Sequence, residues 1–191
     1  FHGISGRVGS AEWLGGILFI LALNLGVAAP IFDLVGDLQP ISALDGWLGH
    51  ILGATLAIDG IILTLFSQGA MGVSWRIGVD PNEQTTLVTS GLFGFVRNPV
   101  FSAMILTSTG LTLLVPNVVA LIGLATLVTA IELQTRVVEE PYLLRTHGDT
   151  YARYAATVGR FVPRIGQLRV PEPRPAREPD PATAAAHSDR P

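Results

Sequence analysis

The chain has 191 residues, 49% hydrophobic and only 14% charged, with 12 basic against 15 acidic residues and no cysteine; soluble domains carry about a quarter of their residues as charge, so the deficit indicates a membrane protein. Without cysteine there is no disulfide framework, thiol nucleophile, thiolate zinc site or iron–sulfur cluster, and because all 12 basic residues are arginine, Schiff-base chemistry and a Walker-type phosphate loop are excluded too. The net charge of −3 argues against a nucleic-acid partner, which would require a basic surface.

Uncharged runs set out the elements in order. Residues 13–32, between Glu12 and Asp33, form the first, close to the ~20 residues a helix needs to cross the hydrocarbon core. A secretory signal is the rival reading, with Val27, Ala28 and Ala29 as a cleavage site, but the apolar run is too long and Pro30 comes at once after it. In residues 46–75 only His50 and Asp59 are ionisable before the far end, and Trp47 stands where an interfacial aromatic belongs. This second span is expected to end near residues 67–72. The third gap, residues 98–131, is interrupted by Pro116-Asn117; its arms of about 17 residues predict a tight helical hairpin.

The expected fold is an all-α membrane protein of four transmembrane helices, including this C-terminal hairpin, with further helices on the cytoplasmic surface. Arg7 precedes the first span, Arg76 and Arg97 fall between the second and third, and nine arginines run from Arg136 to Arg190. The positive-inside rule then predicts cytoplasmic termini and a cytoplasmic middle loop.

Two segments are neither spans nor short turns. The connector SWRIGVDPNEQTTLVTSGLFGFVRNP is rich in turn-formers. After residue 137 the chain is amphipathic, with Tyr142, Leu143, Tyr151, Tyr154, Val158 and Phe161 interleaved with Arg145, Arg153 and Arg160, as in one or two helices lying at a membrane surface. The chain divides into residues 1–72 with two spans, 73–165 with the hairpin and the cytoplasmic segments, and 166–191, a Pro- and Ala-rich tail expected to be disordered.

Polar groups in or beside hydrocarbon are costly and each needs a role. Glu132, Arg136, Glu139 and Glu140 share a helical stripe where the fourth span leaves the membrane, just before Pro141. The stripe is either a string of weak interfacial ion pairs or a binding site. In FGFVRNPVF, Pro99 suits a first helical turn, so the third span begins there with free backbone N–H groups and Arg97 beside them. That combination suits an anion, although an arginine snorkelling to headgroups is the commoner case. His50 and Asp59 are roughly 180° apart on an ideal helix and do not form one site. His50 is expected at the interface, and Asp59 is expected to face the bundle interior, toward an acceptor or a structural partner. No metal site is expected, and paired intramembrane histidines for a haem are missing.

The order RIGVD, LVTSGLFGFVRNPVF, a proline-interrupted hairpin and EEPYLLRTHGDTYARYAATVGRFVP resembles the integral-membrane methyltransferases that include isoprenylcysteine carboxyl methyltransferase and the phospholipid N-methyltransferases. The resemblance covers about residues 68–164. It implies S-adenosylmethionine as cofactor, a lipid or lipid-linked acceptor and a site on the cytoplasmic face. The family's Arg-His-Pro-x-Tyr motif falls on Arg97, Asn98, Pro99 and Phe101, with asparagine in place of histidine and phenylalanine in place of tyrosine, and its paired glutamates fall on Glu139 and Glu140. These residues are expected to hold the cofactor, with Leu92, Phe93 and Phe95 covering adenine. A carboxylate acceptor would need only orientation, by Arg76 or Arg160; an amine would need a base, from His147, Glu139 or Tyr151.

The expected reaction is carboxyl O-methylation of an isoprenylcysteine-type acceptor. Phospholipid amine N-methylation, an NADPH-dependent lipid or sterol reductase of related architecture, and a non-enzymatic four-span protein are the alternatives. Glu139-Glu140 speaks against a 2′-phosphate site, and the gathering of polar residues at the cytoplasmic ends speaks against a transport path.

Overall fold

Ser10 opens the first helix, its hydroxyl accepting the Trp13 N–H at 3.2 Å, and leads into α1 (Ala11–Leu34) with Glu12 in its first turn. The structure is a computed structural model that describes residues 7–36, 38–71 and 87–169. Within these, α2 (Trp47–Met71), α3 (Pro99–Leu114), α4 (Val118–Leu133) and α5 (Glu140–Thr157) account for the remaining α-helices. The only β-structure among the described residues is two isolated bridges. The uncharged runs read from the sequence fall on α1 to α4. Three helical stretches are long and apolar enough to cross a membrane, Ala11–Leu34, Trp47–Ala70 and Val118–Thr157; α3 is shorter, at 16 residues. The protein is an integral membrane protein of all-helical fold.

The helices pack in pairs, α2 on α3 and α1 on α4. Lipid tails are as apolar as leucine, so helices in a bilayer associate through close packing rather than exclusion of water. The α2–α3 seam shows this, with Gly53, Ala57 and Gly60 set against Ala103, Thr107 and Gly110. A Cβ on Gly60 would stand 2.6 Å from the Thr107 nitrogen and 2.9 Å from the Ala103 carbonyl oxygen, so the backbones approach where no side chain fits. The outward faces are apolar and exposed, as at Leu23, Val27, Leu65 and Phe66.

Asn117 locks the α3–α4 hairpin. It is fully buried; its Oδ1 accepts the Ala120 N–H at 2.9 Å, capping α4, and its Nδ2 donates to the Ala29 carbonyl at 3.0 Å. The Pro116 carbonyl accepts the Ile41 N–H at 2.6 Å, which ties the loop after α1 to the same turn.

The end of α4 departs from the sequence expectation. Pro141 is a helix-breaking residue type, yet the chain passes through a π-helical turn (Gln134–Glu139) directly into α5. The Glu140 N–H bonds the Thr135 carbonyl, an i→i−5 step, and Pro141 then sits in the first turn of α5, where its missing N–H is tolerated. The inserted register rotates the residues beyond it, so the expected stripe divides. Glu132 and Arg136 pair with each other at the surface, while Glu140 turns inward. The amphipathic segment is two helices, joined at Gly148 (φ 49°, ψ −129°).

Asp59 also departs from expectation. It is exposed, on the side of α2 turned away from α3.

Candidate functional site

The site is built where the start of α3 meets the end of α5. The extended backbone at 96–98 pairs with residues 159–160: Val96 bridges Gly159, the Arg97 N–H donates to the Gly159 carbonyl at 2.8 Å, and the Asn98 N–H to the Arg160 carbonyl at 3.1 Å. The chain then turns back through Pro163 and Arg164, and the Arg160 N–H bonds the Ile165 carbonyl at 2.8 Å. Gly159 lies inside this turn, where a Cβ would overlap the Val162 carbonyl oxygen and stand 2.8 Å from the Arg164 nitrogen. The Leu168 N–H reaches the Ala155 carbonyl at 2.9 Å, so residues 158–168 form a strap laced between two helix ends. The segment expected to be a disordered tail from residue 166 is hydrogen-bonded at its beginning; residues 170–191 lie outside the described residues.

At the centre of this junction is a buried ionic cluster. Glu140, 5% exposed, accepts from Arg97 Nη2 at 2.6 Å, from Arg160 Nε at 2.7 Å and from Arg160 Nη2 at 2.9 Å. The Arg160 contact is the two-point fork that a guanidinium makes with a carboxylate. Arg97, also 5% exposed, gives its remaining Nη donors to the carbonyls of Ala155 (2.8 Å), Val158 (2.6 Å) and Gly166 (3.0 Å). Two guanidinium groups thus face one carboxylate, leaving one positive charge in excess. Among the described residues, two buried side-chain polar atoms have no hydrogen-bond partner, Arg97 Nε and Thr135 Oγ1. One belongs to the cluster itself; the other is on the residue whose carbonyl receives the Glu140 N–H.

The two adjacent glutamates differ because their surroundings differ. Counted from Val118, about 20 residues at ~1.5 Å each cover the hydrocarbon core, so both glutamates lie just beyond the crossing part of this stretch. Burial raises the Glu140 carboxyl, but the hydrogen bonds and charges of Arg160 and Arg97 outweigh it and hold the group below its ordinary value. Glu139 has no such partner: burial pushes it up to about 7, its hydrogen bond with Gln134 opposes the shift, and the charge of Glu140 adds to it. Arg160 is raised by its hydrogen bond to Glu140.

The structure brings together Arg97, Asn98, Pro99, Glu139, Glu140 and Arg160. The Asn98 side chain does not cap α3; its Nδ2 donates to the Arg160 carbonyl at 3.3 Å and so holds the strap. Leu92 and Phe93 lie on a 3-10 turn (Gly91–Gly94), half-buried, and the Phe93 carbonyl accepts the Tyr154 hydroxyl at 2.6 Å. Phe101 packs away from the cluster, with Met104 and Ile105, against the core of Ala22, Leu127 and Ile131. Tyr151 is 2% exposed and edge-on to Tyr154, and burial raises its hydroxyl to about 12, a poor setting for the base role considered for it. His147 is half-buried beside the Gly148 kink. Arg76 lies outside the described residues.

Sequence reasoning missed four supports: Gly159, Gln134, Tyr154 and Ser102, whose hydroxyl donates to the Phe161 carbonyl at 2.7 Å. Tyr154 left a signal only as one of the apolar positions of the amphipathic run, and Gly159 as the glycine near its end.

Residues 48–150 match the profile of the phospholipid methyltransferase family. The chain belongs to that family. Two relatives are similar to this phospholipid methyltransferase family member along much of its length. Protein-S-isoprenylcysteine O-methyltransferase B of Arabidopsis thaliana is 29% identical over 121 residues, 62% of this chain and 61% of the relative. Protein-S-isoprenylcysteine O-methyltransferase of Schizosaccharomyces pombe is 26% identical over 163 residues, 82% and 69% respectively. The solved structure of a eukaryotic intramembrane Ras methyltransferase, isoprenylcysteine carboxyl methyltransferase, shares the fold with a TM-score of 0.58 and 24% identity, covering 78% of this chain and 53% of that one. The chain therefore spans 61% of the first relative and about half of the solved structure.

Proposed function

We propose that this protein is an S-adenosylmethionine-dependent methyltransferase acting on a membrane-embedded amphiphile, by carboxyl O-methylation of an isoprenylcysteine-type acceptor. The observation that carries the reading is the buried Arg97–Glu140–Arg160 cluster, with its excess positive charge, at the start of α3. The names of the two relatives support the choice of acceptor.

The residues present fit the cofactor. When bound, S-adenosylmethionine supplies a methyl group activated by a sulfonium. Its carboxylate suits the uncapped start of α3 at Asn98 and Pro99, where the helix dipole, the cationic cluster and the orphan Nε of Arg97 all favour an anion. With three hydrogen bonds already accepted, Glu140 acts as the frame, which leaves Glu139 to receive the ammonium or the ribose diol. Leu92, Phe93 and the exposed ring of Phe95 offer apolar cover for adenine. Phe101 supports the same helix start from the core side.

A carboxylate acceptor is ionised at neutral pH and needs orientation rather than a base. That agrees with the burial of Tyr151 and leaves His147 no required proton transfer. Arg76 is the candidate to orient the acceptor, because Arg160 is committed to Glu140. α3 makes the fourth crossing, and the arginine distribution puts both termini and the site in the cytoplasm. The acceptor arrives sideways from the bilayer, where its lipid chain is dissolved.

Calorimetric titration of the detergent-purified protein with S-adenosylhomocysteine tests the cofactor, and NADPH serves as the competing ligand. Binding of S-adenosylhomocysteine alone is expected; binding of neither, or of NADPH alone, overturns the reading. Labelled methyl donor then separates the acceptors. Label on a prenylated cysteine is released by mild base as an ester, whereas label on phosphatidylethanolamine stays fixed to nitrogen and would assign amine methylation instead.

A further inference from the structure

Phe161 fixes the depth of the strap in the membrane. It is packed against the core of Ala22, Leu127 and Ile131. Counted from Val118, roughly 20 residues cross the hydrocarbon, to about residue 137, so Ile131 lies about six residues, ~9 Å, inside that edge. Phe161 thus enters the hydrocarbon from its border, and the Ser102 hydroxyl, in the first turn of α3, holds the Phe161 carbonyl there at 2.7 Å. The strap residues that follow Phe161 therefore lie in the headgroup layer.

Val162, Pro163, Arg164 and Ile165 form a tight turn, closed by the Ile165 N–H donating to the Val162 carbonyl at 3.1 Å. All of them are exposed, Val162 by 51% and Ile165 by 64%. Proline in the second place and a φ of 65° in the third is the form of a type II turn, whose third place ordinarily goes to glycine or asparagine. Arg164 is the one non-glycine residue with positive φ among the described residues. Nothing in the protein repays that strain, since the Arg164 side chain makes no ion pair or hydrogen bond among the described residues. An unpaired cation at the tip of a strained turn, flanked by apolar residues at headgroup depth, calls for an anion that the bilayer itself supplies. The flanks then rest on acyl chains while the guanidinium meets phosphate.

We infer that the Val162–Ile165 turn binds the headgroup phosphate of an anionic phospholipid through Arg164, and that the bound lipid steadies the ionic cluster behind the turn. The coupling is short. The Ile165 carbonyl accepts the Arg160 N–H at 2.8 Å, and Arg160 forks onto Glu140. The next residue, Gly166, gives its carbonyl to Arg97 Nη2 at 3.0 Å. A lipid that restrains the tip therefore restrains the backbone on which both guanidinium groups depend. On the proposed orientation this is the cytoplasmic leaflet, which carries the anionic lipid. An effect on cofactor affinity rests on the methyltransferase reading; the lipid site does not.

Arg164→Gly is the decisive variant, because glycine suits the φ of 65° and only the cationic side chain is lost. The full chain is placed in nanodiscs of phosphatidylcholine, with or without phosphatidylglycerol, and its melting temperature is measured. Phosphatidylglycerol should raise it by several degrees in the unsubstituted protein and nearly as much in Arg164→Lys. Arg164→Gly should melt no lower than its parent in phosphatidylcholine alone and lose most of the rise. S-adenosylhomocysteine affinity should follow the same pattern, rising several-fold with phosphatidylglycerol except in Arg164→Gly. A protein that binds no S-adenosylhomocysteine in either lipid, yet still melts higher through Arg164, would sink the methyltransferase reading and support the lipid site. An equal phosphatidylglycerol response in Arg164→Gly and its parent would overturn the inference. So would the same stabilisation by inorganic phosphate, or by a soluble acidic peptide, in phosphatidylcholine alone.

Discussion

Arg160 meets Glu140 at two points, Nε to Oε1 at 2.7 Å and Nη2 to Oε2 at 2.9 Å, and in doing so joins the strap to the first turn of α5. Removing one partner of a buried pair leaves the other charge uncompensated, a cost of about 3–5 kcal/mol. Glu140→Ala is the harsher change, since two guanidinium groups are then left facing one another. Arg160→Lys keeps the charge but loses the planar fork, so it should destabilise less than Glu140→Ala and clearly more than a surface substitution such as Arg153→Lys. Thermal unfolding in detergent measures the order. Equal melting temperatures for Glu140→Ala and the unsubstituted protein would show that the cluster does not hold the fold.

Glu139 and Glu140 give opposite pH dependences. Glu140 is held below its ordinary value, so its contribution is present above the ordinary carboxylate range and is lost only as pH falls through its lowered value in the fold. Glu139 is raised to about 7, so the folded protein binds a proton there that the unfolded chain has released above its ordinary value of 4.5. Its contribution is complete below pH 4.5 and is lost as pH rises through about 7. Melting temperature should therefore fall between these limits, and Glu139→Gln, which cannot titrate, should flatten that decline while leaving the acid limb unchanged. A Glu139→Gln protein with the same neutral-range slope as its parent would remove Glu139 as the source.

The helices were legible in the sequence because hydrocarbon imposes a length and excludes charge; the gap from Glu12 to Asp33, the gap from Asp45 to Arg76 that only Asp59 interrupts among the acidic and basic residues, and the Pro116-Asn117 break correspond to α1, α2 and the hairpin. The chain beyond Leu133 was less legible, for a local reason. A stripe drawn at 3.6 residues per turn puts Glu132, Arg136 and Glu140 on one face, but the π turn adds a residue and sends Glu140 to Arg97 and Arg160 instead. Propensity gives no warning of a π turn. Residue types at the site were readable as chemistry, whereas their commitments were not: that Arg97 spends its Nη donors on three carbonyls and Glu140 depends on backbone meeting across some 60 residues. Asp59 was misplaced by a rule for packed bundles, which puts polar groups inside; it lies on a face that α3 leaves open.

Gly159 offers the sharpest test of the strap. A methyl group there would meet three backbone atoms, the Val162 oxygen, the Arg164 nitrogen at 2.8 Å and the Ile165 oxygen at 2.8 Å, and backbone cannot step aside as a flexible side chain can. Gly159→Ala should therefore open the turn and release the hydrogen bond from the Arg97 N–H, and with it the Gly166 carbonyl that Arg97 Nη2 holds. The damage should be mainly local, because α2 packs on α3 and α1 on α4 directly, and the strap reaches their core only through Phe161. Limited proteolysis should cut within residues 158–169 in Gly159→Ala and spare that segment in the unsubstituted protein, and S-adenosylhomocysteine affinity should fall at least ten-fold. Gly26→Ala is the matched control, since nothing lies within 4 Å of its added methyl; helix propensity there gives a gain of about 0.5–1 kcal/mol. A Gly159→Ala protein that resists proteolysis and binds S-adenosylhomocysteine as tightly as its parent would show that the strap does not form the site.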